Sequence, residues 1–207
     1  MNRTVIVWVV CVLAMIVLLG TGLLNLAPGI GVKNSVAESD AGASGEALIK
    51  ADFTLQTAGN KTVRAKDLRG KYLLIYFGYT HCPDVCPTTL LLMSNVLSHA
   101  GAAASKIQPV FISVDPARDT PEVAAAYAKN FGKNFLGLSG TPAQIAQAAE
   151  SFKVYYSKVD DKNSALGYGV DHSSFIYLMG PDGHYIDHFP SSDAEQEITE
   201  GVRRDVH

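Results

Sequence analysis

Tyr72-Leu-Leu-Ile-Tyr-Phe77 runs directly into Gly78-Tyr-Thr-His-Cys-Pro-Asp-Val-Cys-Pro87. A continuous apolar and aromatic run with no polar alternation predicts a strand buried on both faces, the habit of a central strand in a mixed or parallel sheet. The carboxyl end of such a strand is where an open α/β sheet gathers its functional groups. Two of the chain's three cysteines, Cys82 and Cys86, stand there.

Working outward, Pro109-Val-Phe-Ile-Ser-Val114 is a second run of the same kind. Between the two, Leu90, Leu91, Met93 and Leu97 place an apolar stripe along Thr88 to His99 and predict an amphipathic helix. Thr120-Pro121 and Thr141-Pro142 each set a capping hydroxyl before a proline at the first helical position. Ala51 to Gln56 alternates apolar and polar, Ala58-Gly-Asn60 supplies a turn, and Thr62-Val-Arg64 resumes, predicting an N-terminal β-hairpin. Ser174 to Met179 and His184 to Phe189, joined by Gly180-Pro-Asp-Gly183, predict another hairpin, and Ser192-Asp-Ala-Glu195 reads as a capping box opening a terminal helix. The order implies a mixed α/β sheet with helices on both faces.

At the N-terminus, Val5 to Leu24 carries no charge. A helix of that length spans a hydrocarbon core of about 30 Å. No small-x-small cleavage site follows closely, so the run reads as an uncleaved anchor, and Cys11 in its middle reads as a small apolar residue rather than a lipid attachment point. Gly31 to Gly45 is small and polar, a flexible spacer. The expected organisation is an anchor over 1–27, a spacer over 28–49 and one folded domain over 50–207. Arg3 lies before the span and Lys33 is the first cation after it, which favours a cytoplasmic N-terminus and an exported domain. No Arg-rich leader precedes the span, so the expected location is a bacterial inner membrane with the domain on the periplasmic side. The chain holds 17 basic and 20 acidic side chains and is 47% hydrophobic. That balance excludes a disordered chain and gives no basic tract for nucleic acid.

An oxidising compartment lets two thiols become a disulfide unless something holds them reduced. The Cys-x-x-x-Cys spacing brings the pair onto one face of a helical turn, close enough to share an ion or to close on each other. Pro83 and Pro87 put the motif in a loop and first helical turn, where unpaired N–H groups stabilise thiolates. With no further cysteine in the domain, a Cys₄ zinc site within one chain is excluded. Two thiolates leave room for a third donor. His172, in Gly169-Val-Asp-His-Ser-Ser174 just before a core strand, is the leading candidate, because imidazole with two thiolates suits copper. His81, adjacent to Cys82, is a second candidate. His184 and His188 fit an exposed hairpin, His99 a helix surface and His207 a terminus. Asp115-Pro-Ala-Arg-Asp-Thr120 reads as a turn and helix cap near the same edge of the sheet, with Arg118 able to bias the charge on the thiols.

Phe77 to Pro87, Ser113 to Thr120 and Val170 to Ser174 together resemble the Sco/SenC family, in the family's order and across essentially the whole domain. The resemblance implies a thioredoxin-like fold that binds copper, as Cu(I) or Cu(II), through Cys82, Cys86 and His172, with Asp171, Asp84 and Arg118 as supporting groups. It implies a role in assembling the CuA site of cytochrome c oxidase, with oxidase subunit II as acceptor and an upstream protein as copper donor. The polar stretch Lys158 to Tyr168 is expected to let His172 move on and off the metal. A thiol–disulfide reductase acting on the CuA-site cysteines is the main rival. A peroxidase of the same superfamily fits poorly, since positions 79 and 83 are Tyr and Pro and the only tryptophan, Trp8, lies in the apolar N-terminal run.

Overall fold

The computed structural model describes residues 49–162 and 167–207. The expected anchor, and all but the last residue of the expected spacer, lie outside the described residues. Among the described residues no helix is long and apolar enough to cross a membrane.

The run that opened the sequence reading forms β3 (Tyr72–Gly78), buried from Leu73 to Gly78. It pairs in parallel with β4 (Ile107–Ser113), which pairs in parallel with β5 (Leu136–Leu138). On its other side β3 meets β8 (Phe175–Met179) antiparallel, and β8 turns back as β9 (Tyr185–Pro190). The sheet order is therefore β5-β4-β3-β8-β9, mixed as predicted, with β3 at its centre. The N-terminal hairpin, β1 (Thr54–Thr57) with β2 (Lys61–Arg64), stands as a separate two-stranded sheet. Phe77, pointing away from Tyr76 on β3, packs on Phe152 and Tyr177 at 5.2 and 6.2 Å between ring centroids, filling one side of the core.

Helix α1 (Val85–His99) packs on the terminal helix α4 (Glu195–Asp205). Helix α2 (Pro121–Lys129) packs on β5 and the β1–β2 turn, and α3 (Pro142–Ser151) reaches β1. The Thr-Pro starts behave as predicted: Thr120 Oγ1 accepts from Val123 N–H, and Thr141 and Gln144 form a reciprocal capping box. α1 begins at Val85, three residues before the predicted start, so Cys86 and Pro87 belong to its first turn, where proline's missing N–H costs nothing.

Three expectations need correction. The terminal helix opens at Glu195 with Ala194 as its cap, and no side chain caps it. Ser192 is too far back to close a box, and Glu195 and Glu197 in the first turn complement the helix dipole instead. The strand β5 went unread because Leu-Gly-Leu is too short to show a period. Finally, the stretch around Lys158 to Tyr168 is not simply a loop: β6 (Tyr156–Asp160) pairs antiparallel with β7 (Tyr168–His172), so His172 ends a strand, directly opposite Tyr156.

Gly137 in β5 passes so close to α2 that a β-carbon there would lie 2.0 Å from the Ala124 carbonyl oxygen. Backbone cannot yield as a side chain does. Gly137→Ala should therefore lower stability by at least about 2 kcal/mol, read as a fall in the urea midpoint. An unchanged midpoint would mean that helix and strand are not in contact there.

Candidate metal centre

Gly78, the last residue of β3, has room for nothing larger: a β-carbon would stand 2.9 Å from Cys86 Sγ and 3.0 Å from the Tyr76 ring. The chain then turns through Tyr79 to Asp84 into α1. That turn is fastened by Asp119, fully buried in the segment after β4. Its carboxylate accepts from Thr80 N–H at 2.8 Å, Thr80 Oγ1 at 2.6 Å and Ser113 Oγ at 2.5 Å. A buried carboxylate is tolerable only when so satisfied. The ends of two parallel strands are thereby tied to one group, and the cysteine loop hangs from it.

Cys82, Cys86 and His172 converge, with one ligating atom from each lying within 4.8 Å of the others. Among the described residues no other such group forms. Cys86, in α1, is fully buried and Cys82, in the loop, is half-buried. His172 Nε2 lies 3.4 Å from Cys86 Sγ, while Nδ1 is 3.2 Å from the Ser173 carbonyl. A carbonyl can only accept, so the neutral ring carries its proton on Nδ1 and turns the Nε2 lone pair to the sulfurs. Tyr76 and Tyr79 stand roughly perpendicular to the ring, with centroids 5.9 and 6.0 Å from it. Solvent reaches the group through an opening of about 250 Å³ bounded by Pro83, Asp84, Val85 and Asp171.

The two sulfurs differ sharply. Cys82 is held down to about 3, first by a hydrogen bond from the Cys86 thiol, against the opposing effect of burial, then by the backbone N–H groups of Cys86 and Asp84. Cys86 is pushed far above the ordinary thiol range, because Cys82 holds its proton and burial disfavours its charge. The pair thus shares one proton, with the accessible sulfur a thiolate and the buried one a thiol.

The other sequence candidates are placed as follows. Asp84 precedes α1, its backbone N–H serving Cys82, and its carboxylate receives the Thr88 hydroxyl at 3.4 Å rather than capping the helix. The Asp171 side chain is exposed, and the partner of His172 Nδ1 is the Ser173 carbonyl instead. Arg118 pairs with buried Asp115, stacks over Tyr168 at 3.9 Å and donates to the Tyr168 carbonyl at 3.1 Å. It therefore braces β7 rather than bonding either sulfur. The Tyr168 hydroxyl completes the brace by donating to Asp115 at 3.1 Å. These contacts hold the Tyr168 end of the strand that carries His172. His81 turns to Thr80 and Asp119, and His184 and His99 pair with Asp182 and Glu195. Sequence reasoning missed Asp119, Thr80, Ser113, Tyr76, Tyr168 and Ser173. All six sat in stretches already singled out, but nothing in the local pattern marked their roles.

The split between the sulfurs is measurable. In metal-free, reduced protein, Cys82 should alkylate with iodoacetamide at pH 5 nearly as fast as at pH 7, where an ordinary thiol slows about a hundredfold. Cys86 should stay unmodified in the folded state. A Cys82 rate that falls tenfold per pH unit below 8 would refute the shared proton.

Residues 41–207 match the family model for SCO1/SenC. The chain is 37% identical over 175 residues to the mitochondrial SCO1 homolog 1 of Arabidopsis thaliana, a match covering 84% of this chain and 52% of that protein. It thus spans about half of that relative's length. The structure of Bradyrhizobium japonicum ScoI with copper bound aligns with a TM-score of 0.67 at 43% identity, covering 76% of this chain and 99% of that one. BsSco, described as a member of the Sco family of cytochrome c oxidase assembly proteins with a disulfide switch, aligns with a TM-score of 0.58 at 26% identity over 76% of this chain and 93% of that one. The fold is thioredoxin-like, and the chain belongs to the SCO1/SenC family.

Proposed function

We propose that the protein is a membrane-anchored copper metallochaperone that takes one copper ion on Cys82, Cys86 and His172 and serves the assembly of the CuA site of cytochrome c oxidase. The observation that carries this reading is the convergence of two sulfurs and one imidazole nitrogen within 4.8 Å, drawn from a loop, a helix and a distant strand. Two thiolates and an imidazole are a donor set for Cu(I), and the nitrogen extends it to Cu(II). The residues fit that cargo. Nε2 presents its lone pair, Cys82 is already a thiolate, and only Cys86 must surrender a proton as metal enters. Bound copper supplies the species to be delivered; the chain supplies the cradle and an open side.

Copper bound to the Bradyrhizobium relative and the oxidase assembly family of BsSco support the cargo and the destination. Subunit II of the oxidase, carrying CuA, is the acceptor in this reading, and another copper protein is the donor. The uncharged run Val5 to Leu24 is the anchor and the residues before Lys50 are the tether, holding the domain on the outer side of a bacterial inner membrane.

A second reading, thiol–disulfide exchange with the CuA cysteines, is favoured by the same sulfur pair. An accessible thiolate beside a buried thiol is the arrangement of an attacking and a resolving cysteine. Competition titrations separate the two. Reduced protein should bind one Cu(I) tightly, Cys82→Ala and Cys86→Ala should each abolish tight binding, and His172→Ala should keep part of the Cu(I) affinity while losing Cu(II). Full copper retention in either cysteine variant overturns the ligand set. Negligible binding beside a readily cycled disulfide favours the reductase.

A further inference from the structure

The end of the sheet opposite the metal centre holds a second concavity, of about 560 Å³, more than twice the volume of the opening over the sulfurs. β3 starts at Tyr72, three residues after Arg69 in its lining, and ends against Cys86, so roughly 20 Å of strand separates the two places. Three segments of chain build the wall, and backbone hydrogen bonds join them. Ala51 N–H donates to the Gly183 carbonyl at 3.1 Å, Ala65 N–H to the Phe53 carbonyl at 3.0 Å and Gly70 N–H to the Pro181 carbonyl at 2.9 Å. Phe53 and Ala65, both buried, supply its apolar part. The concavity therefore belongs to the frame of the domain and is not a gap between flexible side chains.

Its charge is lopsided. Lys50, Arg64, Lys66 and Arg69 all line it, four of the 17 basic side chains of a chain that is acidic overall. The carboxylates in the lining are Asp52 and Asp182. Asp182 is spent on His184, whose Nδ1 lies 2.9 Å away and whose N–H donates to it at 3.1 Å. Arg64 stands at the far limit of an ion pair with Asp67, at 3.9 Å. Among the described residues, no ion pair or hydrogen bond engages the side chains of Lys50, Lys66 or Arg69. Like charges gathered in one concavity repel each other and cost stability. A counter-anion from outside the chain would relieve that repulsion.

The donors select the anion. Two guanidiniums offer planar forks that match pairs of phosphate oxygens, and two ammoniums add point charges on long stems. We propose that this concavity is a binding site for a phosphate-bearing anion, held by Lys50, Arg64, Lys66 and Arg69. Two sources share that chemistry, free phosphate and the headgroup of an anionic phospholipid. Placement favours the headgroup. The uncharged run ends at Leu24 and the chain enters the described domain at residues 49 and 50, so the concavity lies at the end of the domain that the tether joins. Basic clusters beside a membrane segment attract anionic headgroups. The lipid source rests on the anchor reading above; the phosphate site rests neither on that nor on copper.

The test uses the full chain reconstituted in phosphatidylcholine vesicles and reads the acylation rate of each lysine by mass spectrometry. Three conditions are compared: neutral vesicles alone, the same vesicles with inorganic phosphate, and vesicles of phosphatidylcholine and phosphatidylglycerol in equal parts. Lys50 and Lys66 should be slowed by phosphate and by the anionic vesicles, while Lys129, exposed on α2 outside the lining, should keep its rate. Arg69→Gln leaves both reporters in place and should raise the phosphate concentration for half-protection about tenfold, the worth of one charge-assisted hydrogen bond. Arg64→Gln is the second variant, and thermal unfolding checks that each still folds. Protection by phosphate alone keeps the site and overturns the lipid source. Protection on anionic vesicles alone, lost in Arg69→Gln, assigns the headgroup. Unchanged rates at Lys50 and Lys66 in both conditions overturn the site. Equal slowing of Lys129, or protection that survives in both arginine variants, is general attraction to charge and overturns it too. A chain that does not sediment with neutral vesicles overturns the anchor, and the phosphate condition still decides the site.

Discussion

One buried carboxylate holds this site together. Asp119 lies beyond the end of β4, yet two of its three donors through Thr80 and Ser113 come from the loop that follows β3. Parallel strands share an end but have no hairpin to lock their loops together, and side chains must do that work. With Asp119 satisfied, Thr80 is fixed in backbone and side chain, and Cys82 two residues on inherits a defined position. The helix that carries Cys86 starts from the same loop. Removing the carboxylate would strand two hydroxyls and an N–H at the base of the cysteine motif and loosen both sulfurs together.

His172 reaches the sulfurs by a different route. It comes from a hairpin outside the main sheet, and that hairpin is held to the rest by Arg118, Asp115 and Tyr168. The guanidinium neutralises Asp115, covers the Tyr168 ring and takes its carbonyl, so one cation satisfies a buried anion and fastens a strand. The segment after β4 therefore serves the centre twice: Asp119 sets the cysteines and Asp115 with Arg118 sets the histidine. Neither group bonds a sulfur. Their effect is on geometry, which is what a three-donor site assembled from remote parts of the chain needs most.

The legible part of this architecture was local. Apolar runs, Thr-Pro starts and turn dipeptides carry their meaning within a few residues, and they yielded β3, β4, α2, α3 and both predicted hairpins. The convergent trio was legible because cysteine is scarce and two thiols invite a third donor. What escaped depended on partners distant in sequence. Asp119 looks like any turn residue until Thr80, 39 positions away, is beside it. β7 is polar and contains Gly169, so its strand character comes from pairing with β6 and from the Arg118 brace rather than from its own composition. The false capping box at Ser192 is the converse case, a good local signal displaced by two residues because the chain leaves β9 later than the motif assumes.

The same division explains why the centre is closed on one side and open on the other. Every group that fixes it comes from the sheet side: Gly78 and Tyr76 beneath Cys86, Asp119 behind the loop, Arg118 behind the hairpin. Toward solvent stand Pro83, Asp84, Val85 and Asp171, which make no hydrogen bond to the sulfurs through their side chains. A resident structural metal would gain from closure on all sides, since each added ligand or cover slows its escape. The copper-delivery reading proposed above calls for rigidity behind the site and access in front, and an incoming ligand would reach Cys82, the half-buried sulfur, before the buried one. Cys86, seated against the strand, is the least accessible of the three donors.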